Sequence, residues 1–294
     1  MTFQPYEFTL RGLRSHLHVA GHTDHTQLYL LHGLFDTGAS FAPLVEALQA
    51  TSAPLYCIAP DWRGHGDSGR AAEGYWFPDY VADLDALLSA LSPDQPVILA
   101  GHSMGGQVAS MYAGARPERV SHLITLDSLN IPDAAVADTA KRYRNWLNGL
   151  QHSRPARTFA SIEDIATRIR HRYPELNTDM CRQLARNWAR PATDGRWRLA
   201  FDPRHRLPFP YGFRAQEAMA LWRQVSAPTL CLDAEYGFSQ TRMSADIMAE
   251  RRHCFSQLQH EVIPDCGHML HMQAPIAVAA SIDRFLSSVC ASQN

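Results

Sequence analysis

The hydrophobic positions of the chain follow two different patterns, and each predicts a different kind of strand. Residues 3–10 and 13–20 alternate between apolar and polar side chains and are joined at Arg11-Gly12. That alternation is typical of an antiparallel hairpin at the edge of a sheet. Five later runs are continuously apolar and end in small or polar residues: QLYLLHG, PLYCIAPD, PVILAGHS, HLITLDS and PTLCLDA. Such runs indicate strands that are buried on both faces, as in a parallel sheet.

Stretches with helical spacing separate these strands. In one of them Val81, Leu84, Leu88 and Leu91 fall on a single helix face. The spacing predicts four helices, over residues 41–50, 78–91, 104–115 and 274–289. The alternation of strands and helices predicts an α/β fold, with a mostly parallel central sheet flanked by helices on both faces.

One long segment interrupts this alternation. Residues 129–226, between HLITLDS and PTLCLDA, exceed a usual crossover and show no convincing strand. Ser161 and Asp164 resemble a capping box that opens a helix over residues 162–172, and Asn177 is placed to cap the next one. We therefore expect a core domain of residues 1–128 and 227–294 and a helical cap (lid) domain of residues 129–226. Such a cap would cover the carboxyl ends of the strands, where open α/β sheets bind ligands.

The composition argues against several classes of partner. The 294 residues carry 27 Lys+Arg and 29 Asp+Glu, a formal net charge of -2, which gives no reason to expect nucleic acid or an anionic membrane. The N-terminal stretch lacks the pattern of a signal peptide, and no apolar run approaches the ~20 residues of a membrane helix. We expect a soluble, cytoplasmic protein, a monomer or homodimer, that acts on a small molecule.

The cysteines and histidines show no spacing typical of a metal site. The six cysteines are scattered, and several lie in apolar runs, so we expect small buried side chains rather than disulfides or zinc ligands. His16, His18, His22 and His25 have no carboxylate or cysteine at ligand spacing and are expected on a solvated surface. No metal and no organic cofactor is predicted.

The strongest chemical signal is the G-x-S-x-G motif in Gly101-His102-Ser103-Met104-Gly105. It follows one of the predicted strands and precedes a predicted helix, which is the setting of a nucleophile elbow. The turn is so tight that its flanking residues must be glycines, and it projects the serine hydroxyl above the sheet edge. We therefore predict Ser103 as a nucleophile and the Met104 amide, at the helix N-terminus, as a donor to an oxyanion.

A second turn supplies another candidate donor. His32-Gly33-Leu34 directly follows the apolar run LYLL. Gly33 lets the backbone turn sharply, so that the Leu34 N–H can face the same oxyanion as the Met104 N–H. Leu34 and Met104 are the predicted oxyanion hole.

At this point the chain resembles the α/β-hydrolase superfamily over nearly its full length. The stretch DWRGHGDS, from Asp61 to Ser68, is similar to the D-x-R-G-x-G-x-S stretch after the fourth strand of many members. The resemblance implies a structural role there, so Asp61 and His65 are not expected in catalysis. Gly267-His268 matches the position of the family's general base, and the chain order Ser, acid, His fits this fold.

A serine is a poor nucleophile until a base accepts its proton and a carboxylate orients that base. His268 is the predicted base. His271, three residues further along, is its rival, and the family position immediately after a glycine favours His268.

The acid departs from the family's common pattern. After the seventh strand many members have G-x-x-D, and matching the run from Pro228 puts Gly237 where that aspartate belongs. Some members place the carboxylate one strand earlier, where Asp127 ends a predicted strand. The LDSL and AEYG stretches together resemble the serine hydrolase-like subgroup. We therefore predict Asp127 as the acid, with Glu235 as second candidate and Asp233 as third.

These residues together predict a serine hydrolase that cleaves a carboxylic ester through an acyl-enzyme on Ser103. The aromatic-rich cap implies a small to medium, partly apolar substrate, with a minority of the cap's aromatic side chains lining the pocket. Two alternatives stay open. One is cleavage of a carbon–carbon, thioester, amide or lactone bond on the same triad, and the other is a non-catalytic, ligand-binding homologue.

Overall fold

The computed structural model describes residues 3–51, 54–151 and 156–291, and these build two sheets. The strands are β1 (Gln4–Leu10), β2 (Leu13–Ala20), β3 (Thr26–Leu31), β4 (Leu55–Pro60), β5 (Val97–His102), β6 (Val120–Leu126), β7 (Thr158–Phe159), β8 (Ala189–Pro191), β9 (Trp197–Leu199), β10 (Thr229–Tyr236) and β11 (Leu258–Gly267). The large sheet has the order β1-β2-β4-β3-β5-β6-β10-β11, and the small one the order β7-β9-β8.

The large sheet is parallel except at one edge. β1 pairs antiparallel with β2, and β2 pairs antiparallel with β4, whereas β4, β3, β5, β6, β10 and β11 run parallel. The predicted edge hairpin and the five predicted buried strands are confirmed. The α/β class follows, because parallel strands need crossover connections that place helices on the faces of the sheet.

Helices cover both faces of this sheet. They are α1 (Ala42–Gln49), α2 (Phe77–Leu91), α3 (Met104–Ala115), α4 (Thr139–Gln151), α5 (Ile162–Arg172), α6 (Thr178–Trp188), α7 (Ala215–Trp222), α8 (Phe238–Thr241), α9 (Ala245–Arg252), α10 (Leu270–Gln273) and α11 (Pro275–Ala291). The four helices predicted from spacing are present as α1, α2, α3 and α11.

The alternation of side chains along β3 shows how the core is divided. Leu28 and Leu30 belong to an apolar cluster with residues of α1 and α11, whereas Tyr29 and Leu31 belong to a second cluster with residues of α2, α3 and α7. Successive side chains of a strand point to opposite faces, so a strand covered on both faces must be apolar throughout. This explains the continuous apolar runs of the sequence.

Residues 129–226, which we call the insertion, hold α4 to α7 and the small sheet. The expectation that this segment contains no strand is wrong: β7, β9 and β8 pair antiparallel. Each strand has only two or three residues, too few for an alternating pattern to show. The two helix caps are confirmed, because Ser161 and Asp164 form a capping box and the Asn177 side chain accepts from the Met180 amide.

Polar contacts join the insertion to the rest of the chain. Tyr75 donates to Asp202 over 2.9 Å, and Arg190 makes two bonds of 2.8 Å to Asp67. The division into core and cap domains remains a prediction.

The cysteines fit the expectation of small buried side chains. Cys57, Cys181, Cys231, Cys254 and Cys266 are buried and free, and the side chain of Cys290 lies outside the described residues. No helix among the described residues has both the length and the apolar character that crossing a membrane requires.

Candidate active site

Ser103 lies in a strained turn between β5 and α3. Its backbone has φ 51° and ψ -116°, a combination that a non-glycine residue adopts only where the surrounding structure enforces it. A Cβ at Gly105 would lie 2.0 Å from the Leu31 carbonyl oxygen, and one at Gly101 would lie 2.4 Å from the Gly105 carbonyl carbon. The two flanking glycines are therefore required by the close approach of the backbone.

The Ser103 hydroxyl is not used to cap the helix that it precedes. A serine at this position usually accepts a hydrogen bond from the first turn, and here its side chain makes no such bond. The Met104 N–H is the first of α3 and has no acceptor within the helix. The turn thus presents a hydroxyl and an amide donor together.

Strand register brings Asp127 beside the elbow. His102 pairs with Leu126 across β5 and β6, so Ser103 and Asp127 are the next residues at the carboxyl ends of neighbouring strands. The Ser103 N–H donates to the Leu126 carbonyl over 3.1 Å. Asp127, like Ser103, has a positive φ, 40°.

Asp127 and His268 form a short hydrogen bond. Asp127 Oδ2 lies 2.5 Å from His268 Nδ1, and both side chains are buried. The carboxylate also accepts from the amides of Phe238, over 2.8 Å, and Ser239, over 3.1 Å. Because a carboxylate only accepts, Nδ1 carries the proton and Nε2 is left as the basic nitrogen. No hydrogen bond joins Ser103 Oγ to His268 within the described ranges.

Gly237 makes room for this carboxylate. A Cβ at residue 237 would lie 2.5 Å from Asp127 Oδ1 and 2.7 Å from its Cγ. Gly237 stands where many family members have their aspartate, and the space that a side chain there would need is filled by the Asp127 carboxylate. The two features are one arrangement, because both an Asp127 carboxylate and a side chain at 237 cannot fit.

The two rival acids lie elsewhere. Glu235 is exposed and accepts from the Asp265 amide over 2.9 Å. Asp233 is buried but pairs with Arg252 at 2.7 Å and with His260 at 2.9 Å. Neither is the partner of His268.

The rival base has other partners than the predicted acid. His271 Nε2 lies 3.3 Å from Ser40 Oγ, and the ring packs against Phe41 and His102. Burial, with smaller contributions from His268 and His32, lowers the pKa of His271 to about 3. It is a neutral packing residue at ordinary pH.

The predicted oxyanion loop passes close to the elbow. A Cβ at Gly33 would lie 3.2 Å from the Ser103 Cβ and 3.1 Å from His102 Nδ1, so the loop approaches Ser103 closely. The next residue is Leu34, whose amide has no acceptor among the described residues. The loop therefore brings the Leu34 amide near Ser103, and it does so from β3, whereas Asp127 follows β6 on the other side of β5.

Two buried histidines, His32 and His65, neither of which was predicted to be catalytic, hold this loop. His32 Nε2 accepts from the Trp62 amide over 2.9 Å, and His65 Nε2 accepts from the Phe35 amide over 3.2 Å. Burial is the main cause that lowers the pKa of His32 to about 4 and the pKa of His65 well below its usual value. Both are therefore neutral and able to accept. His32 belongs to the H-G turn and His65 to the D-x-R-G-x-G-x-S stretch. Only the structure shows that these two segments contact each other and that the histidines accept from backbone amides there.

The expectation of a solvated histidine surface is wrong for two of its four residues. His16 is buried and His18 half-buried, and their rings bond Asp61 at 3.1 Å and 3.3 Å. β2 pairs with β4, which places these alternate side chains beside the end of β4, where Asp61 follows. Asp61 also accepts from the Gly38 and Asp67 amides, as expected for a structural residue.

Three groups of described residues have ligand atoms within 4.8 Å of one another: His16 with His18 and Asp61, Asp36 with His102 and His271, and Cys231 with Asp233 and His260. Each has a bonding role without a metal. Asp61 is saturated by histidines and backbone amides, and Asp233 is paired with Arg252. In the remaining group, Asp36 accepts from Trp188 and Ser40.

A cavity of about 740 Å³ lies between the insertion and the oxyanion loop. Phe35, beside Leu34, is part of its wall, together with Phe159, Trp188 and Phe201 of the insertion. The three residues of the insertion are among the cap's aromatic side chains, a minority of which the sequence predicts to line the pocket. Trp222, another aromatic residue of the insertion, packs in the core instead, together with Met219.

Comparison with known proteins agrees with this geometry. A family model described as alpha/beta hydrolase fold matches residues 27–275, which is most of the chain. The chain belongs to the α/β-hydrolase fold family. Its motifs, its mostly parallel eight-stranded sheet and its elbow are features that this family shares.

Relatives extend the comparison to nearly the whole length. A serine hydrolase-like protein of Danio rerio is 29% identical over 266 residues, covering 87% of this chain and 80% of that protein. A 2-(acetamidomethylene)succinate hydrolase of Mesorhizobium japonicum is 25% identical over 261 residues, covering 89% and 88%. The thioesterase domain from the curacin biosynthetic pathway superposes with a TM-score of 0.84 at 22% identity, covering 96% of this chain and 99% of that one. The comparisons support a hydrolase activity.

Proposed function

We propose that this hydrolase is a serine carboxylesterase that uses Ser103, His268 and Asp127 as its triad. The observation that carries the proposal is the 2.5 Å bond between Asp127 and His268, made at the carboxyl ends of the strands beside the Ser103 elbow. A carboxylate so placed fixes the imidazole tautomer and stabilises the cation that forms when the base accepts a proton.

Each step has a group to perform it. His268 Nε2 takes the proton of the Ser103 hydroxyl as the oxygen attacks the ester carbonyl, and the developing oxyanion receives the amides of Leu34 and Met104. His268 then returns the proton to the leaving alcohol. Water, activated by the same base, releases the acid from Ser103. The hydroxyl and imidazole come into hydrogen-bond contact in the substrate complex, since such contacts are often loose without a ligand.

The environment of His268 supports its role as base. Phe238 stacks on the imidazole, with ring centroids 3.7 Å apart and planes at 16°, and His102 Nε2 donates to the His268 carbonyl over 2.8 Å. Phe238 thus holds one face of the imidazole, and His102, which precedes Ser103, holds the backbone of His268. We assign the substrate as a small to medium, partly apolar ester because the adjoining cavity has an aromatic wall.

Labelling with a fluorophosphonate probe tests the nucleophile, and hydrolysis of 4-nitrophenyl esters tests the reaction. The wild-type chain is expected to react covalently and to turn over esters, and Ser103→Ala to lose both while keeping its unfolding midpoint. Ser128→Ala is the matched control, because Ser128 is a buried serine whose Oγ lies near the elbow and has no hydrogen-bond partner among the described residues. Equal labelling of wild type and Ser103→Ala would make the proposal wrong, and a non-catalytic homologue would give no label at all.

A further inference from the structure

The rim of the cavity carries an unbalanced positive charge. One carboxylate, that of Asp164, lines the cavity. Five arginines line it as well: Arg157, Arg168, Arg172, Arg196 and Arg206. Asp164 is engaged in the capping box, where it accepts from the Ser161 amide over 3.1 Å. The whole chain has a formal net charge of -2, so this cavity has the sign opposite to that of the molecule.

Aromatic rings, rather than acids, contact three of these guanidinium groups, and the first is Arg172, which lies 5.7 Å from the centroid of Tyr173. Arg157 lies over the Phe159 ring, 5.2 Å from its centroid, and Arg206 lies 5.1 Å from the centroid of Phe201. None of the five arginines forms an ion pair with a carboxylate in the part of the chain that the structure describes. No carboxylate therefore competes with a ligand for these guanidinium groups, and the one backbone bond is from Arg196 to the Thr158 carbonyl over 3.4 Å in the described structure.

The charges of two of these arginines act on a third, Arg206. Burial, and after it the guanidinium groups of Arg168 and Arg157, lower the pKa of Arg206. Like charges brought together without a counter-charge raise the free energy of the site, and a bound anion relieves that repulsion. A cluster of this kind favours the binding of an anion.

A further arginine extends this positive region toward the catalytic base. The Arg242 guanidinium lies 3.2 Å from the Phe238 ring centroid, and Phe238 stacks on His268. Burial and then the charge of Arg172, which lines the cavity, lower the pKa of Arg242. On the other side, Phe35 connects the cavity wall to the oxyanion loop.

We propose that the cavity binds the anionic head group of an amphipathic substrate, a carboxylate or a phosphate, with the apolar part of the substrate on the aromatic wall. Arginine suits this role because its planar guanidinium makes paired hydrogen bonds to either oxyanion. This inference rests on the proposed function where it concerns turnover, since the scissile ester must reach Ser103. Its binding part is independent of that chemistry.

The kinetic test compares two esters of equal acyl length, mono-4-nitrophenyl glutarate, which is an anion, and 4-nitrophenyl valerate, which is neutral. The double variant Arg168→Gln/Arg206→Gln is expected to lower kcat/KM for the glutarate ester about tenfold and for the valerate ester less than twofold. Added salt should reduce the glutarate value of the wild type in the same selective way, because it screens exposed charges.

The matched control is Arg170→Gln/Arg186→Gln. Both arginines are exposed, lie on α5 and α6, and are absent from the cavity wall, so this variant removes the same total charge at other places. It is expected to change either ester less than twofold. Equal losses in the two double variants, or equal losses on the two esters, would overturn the inference.

A binding test separates this inference from the proposed function. Calorimetry with Ser103→Ala uses octanoate, octyl phosphate and neutral octanamide as probes. Binding of an anion at least fivefold tighter than octanamide, lost in Arg168→Gln/Arg206→Gln, supports the inference even if no ester is turned over. The stronger of the two anions identifies the head group. Equal binding of all three probes overturns it, whatever the esterase assay shows.

Discussion

Asp127 holds its carboxylate in a space that exists because residue 237 has no side chain. The φ of Gly237 is -76°, which any residue can adopt, so the glycine is required by contact and not by backbone conformation. Asp127 in turn accepts three hydrogen bonds, from His268 and from two amides at the start of α8. The absence of a Cβ at residue 237 thus allows the Asp127 carboxylate to meet His268.

Asp127→Asn is expected to lower kcat about 10⁴-fold with the fold preserved, because an amide cannot hold the imidazole in the required tautomer or stabilise its cation. Ester turnover and the urea midpoint of the purified variant check this. Glu235→Gln is the control, since that side chain is exposed and accepts from the Asp265 amide rather than from His268. A large loss in Glu235→Gln together with an active Asp127→Asn would move the acid to Glu235.

At the scale of elements, α6 is tied to the segment before α1 by one buried bond. The Trp188 indole N–H donates to Asp36 Oδ1 over 2.8 Å. Burial raises the pKa of Asp36 to about 6, even though Trp188 and Ser40 donate to its carboxyl group. A buried carboxylate with few donors depends strongly on each one. This pair therefore connects the insertion to the segment that follows Leu34.

Trp188→Phe is expected to lower the free energy of unfolding by about 1–3 kcal/mol at pH 8, because the ionised Asp36 loses a donor while remaining buried. Urea titration measures this. Trp197→Phe makes the same change elsewhere in the insertion, in the half-buried strand β9, and should cost less. Equal costs for the two substitutions would show that the bond to Asp36 contributes nothing beyond ring packing.

The whole molecule contains an unusual set of buried, neutral histidines. Burial is the main cause that lowers the pKa of His32 and of His205 to about 4, and that of His271 to about 3. In the unfolded chain a histidine titrates near 6.5. Below that pH the unfolded state binds protons that the folded state excludes, so folding stability from these groups is complete above about 6.5 and is lost as the pH falls toward 4.

The free energy of unfolding is therefore expected to fall steeply between pH 6.5 and 4, by up to ~1.4 kcal/mol per pH unit for each such histidine. Asp36 opposes this in part, because its raised pKa stabilises the fold below about pH 6. Urea titrations from pH 7.5 to 4.5 check the slope. His271→Leu should make the slope shallower, because unfolding then takes up about one proton fewer. A flat profile in the wild type would contradict the prediction.

The strands, the helices and the elbow could be predicted because each depends on neighbouring residues. A strand covered on both faces must be apolar throughout, as in β3, and the turn at Ser103 needs glycines two residues away on either side. The caps at Ser161 and Asn177 are equally local. The strands β7 to β9 were missed because two or three residues carry no period.

The site of His16 and His18 could not be read from spacing, because Asp61, which binds both, is more than forty residues away and approaches only through the pairing of β2 with β4. The arginine-lined cavity is of the same kind. Two of its five arginines lie on α5 and the other three in the segments before β7, before β9 and after β9, and each looks like an ordinary surface arginine in sequence.

What the sequence by itself determined is the edge hairpin, the five buried strands and four of the helices around them, the family, and the positions of Ser103 and His268, since all of these follow from short-range patterns. Only the tertiary structure decided which of three carboxylates meets the imidazole and where the positive charge collects. Coulombic and hydrogen-bond energies depend on distance in space, and that distance is set by the packing of residues far apart in the chain.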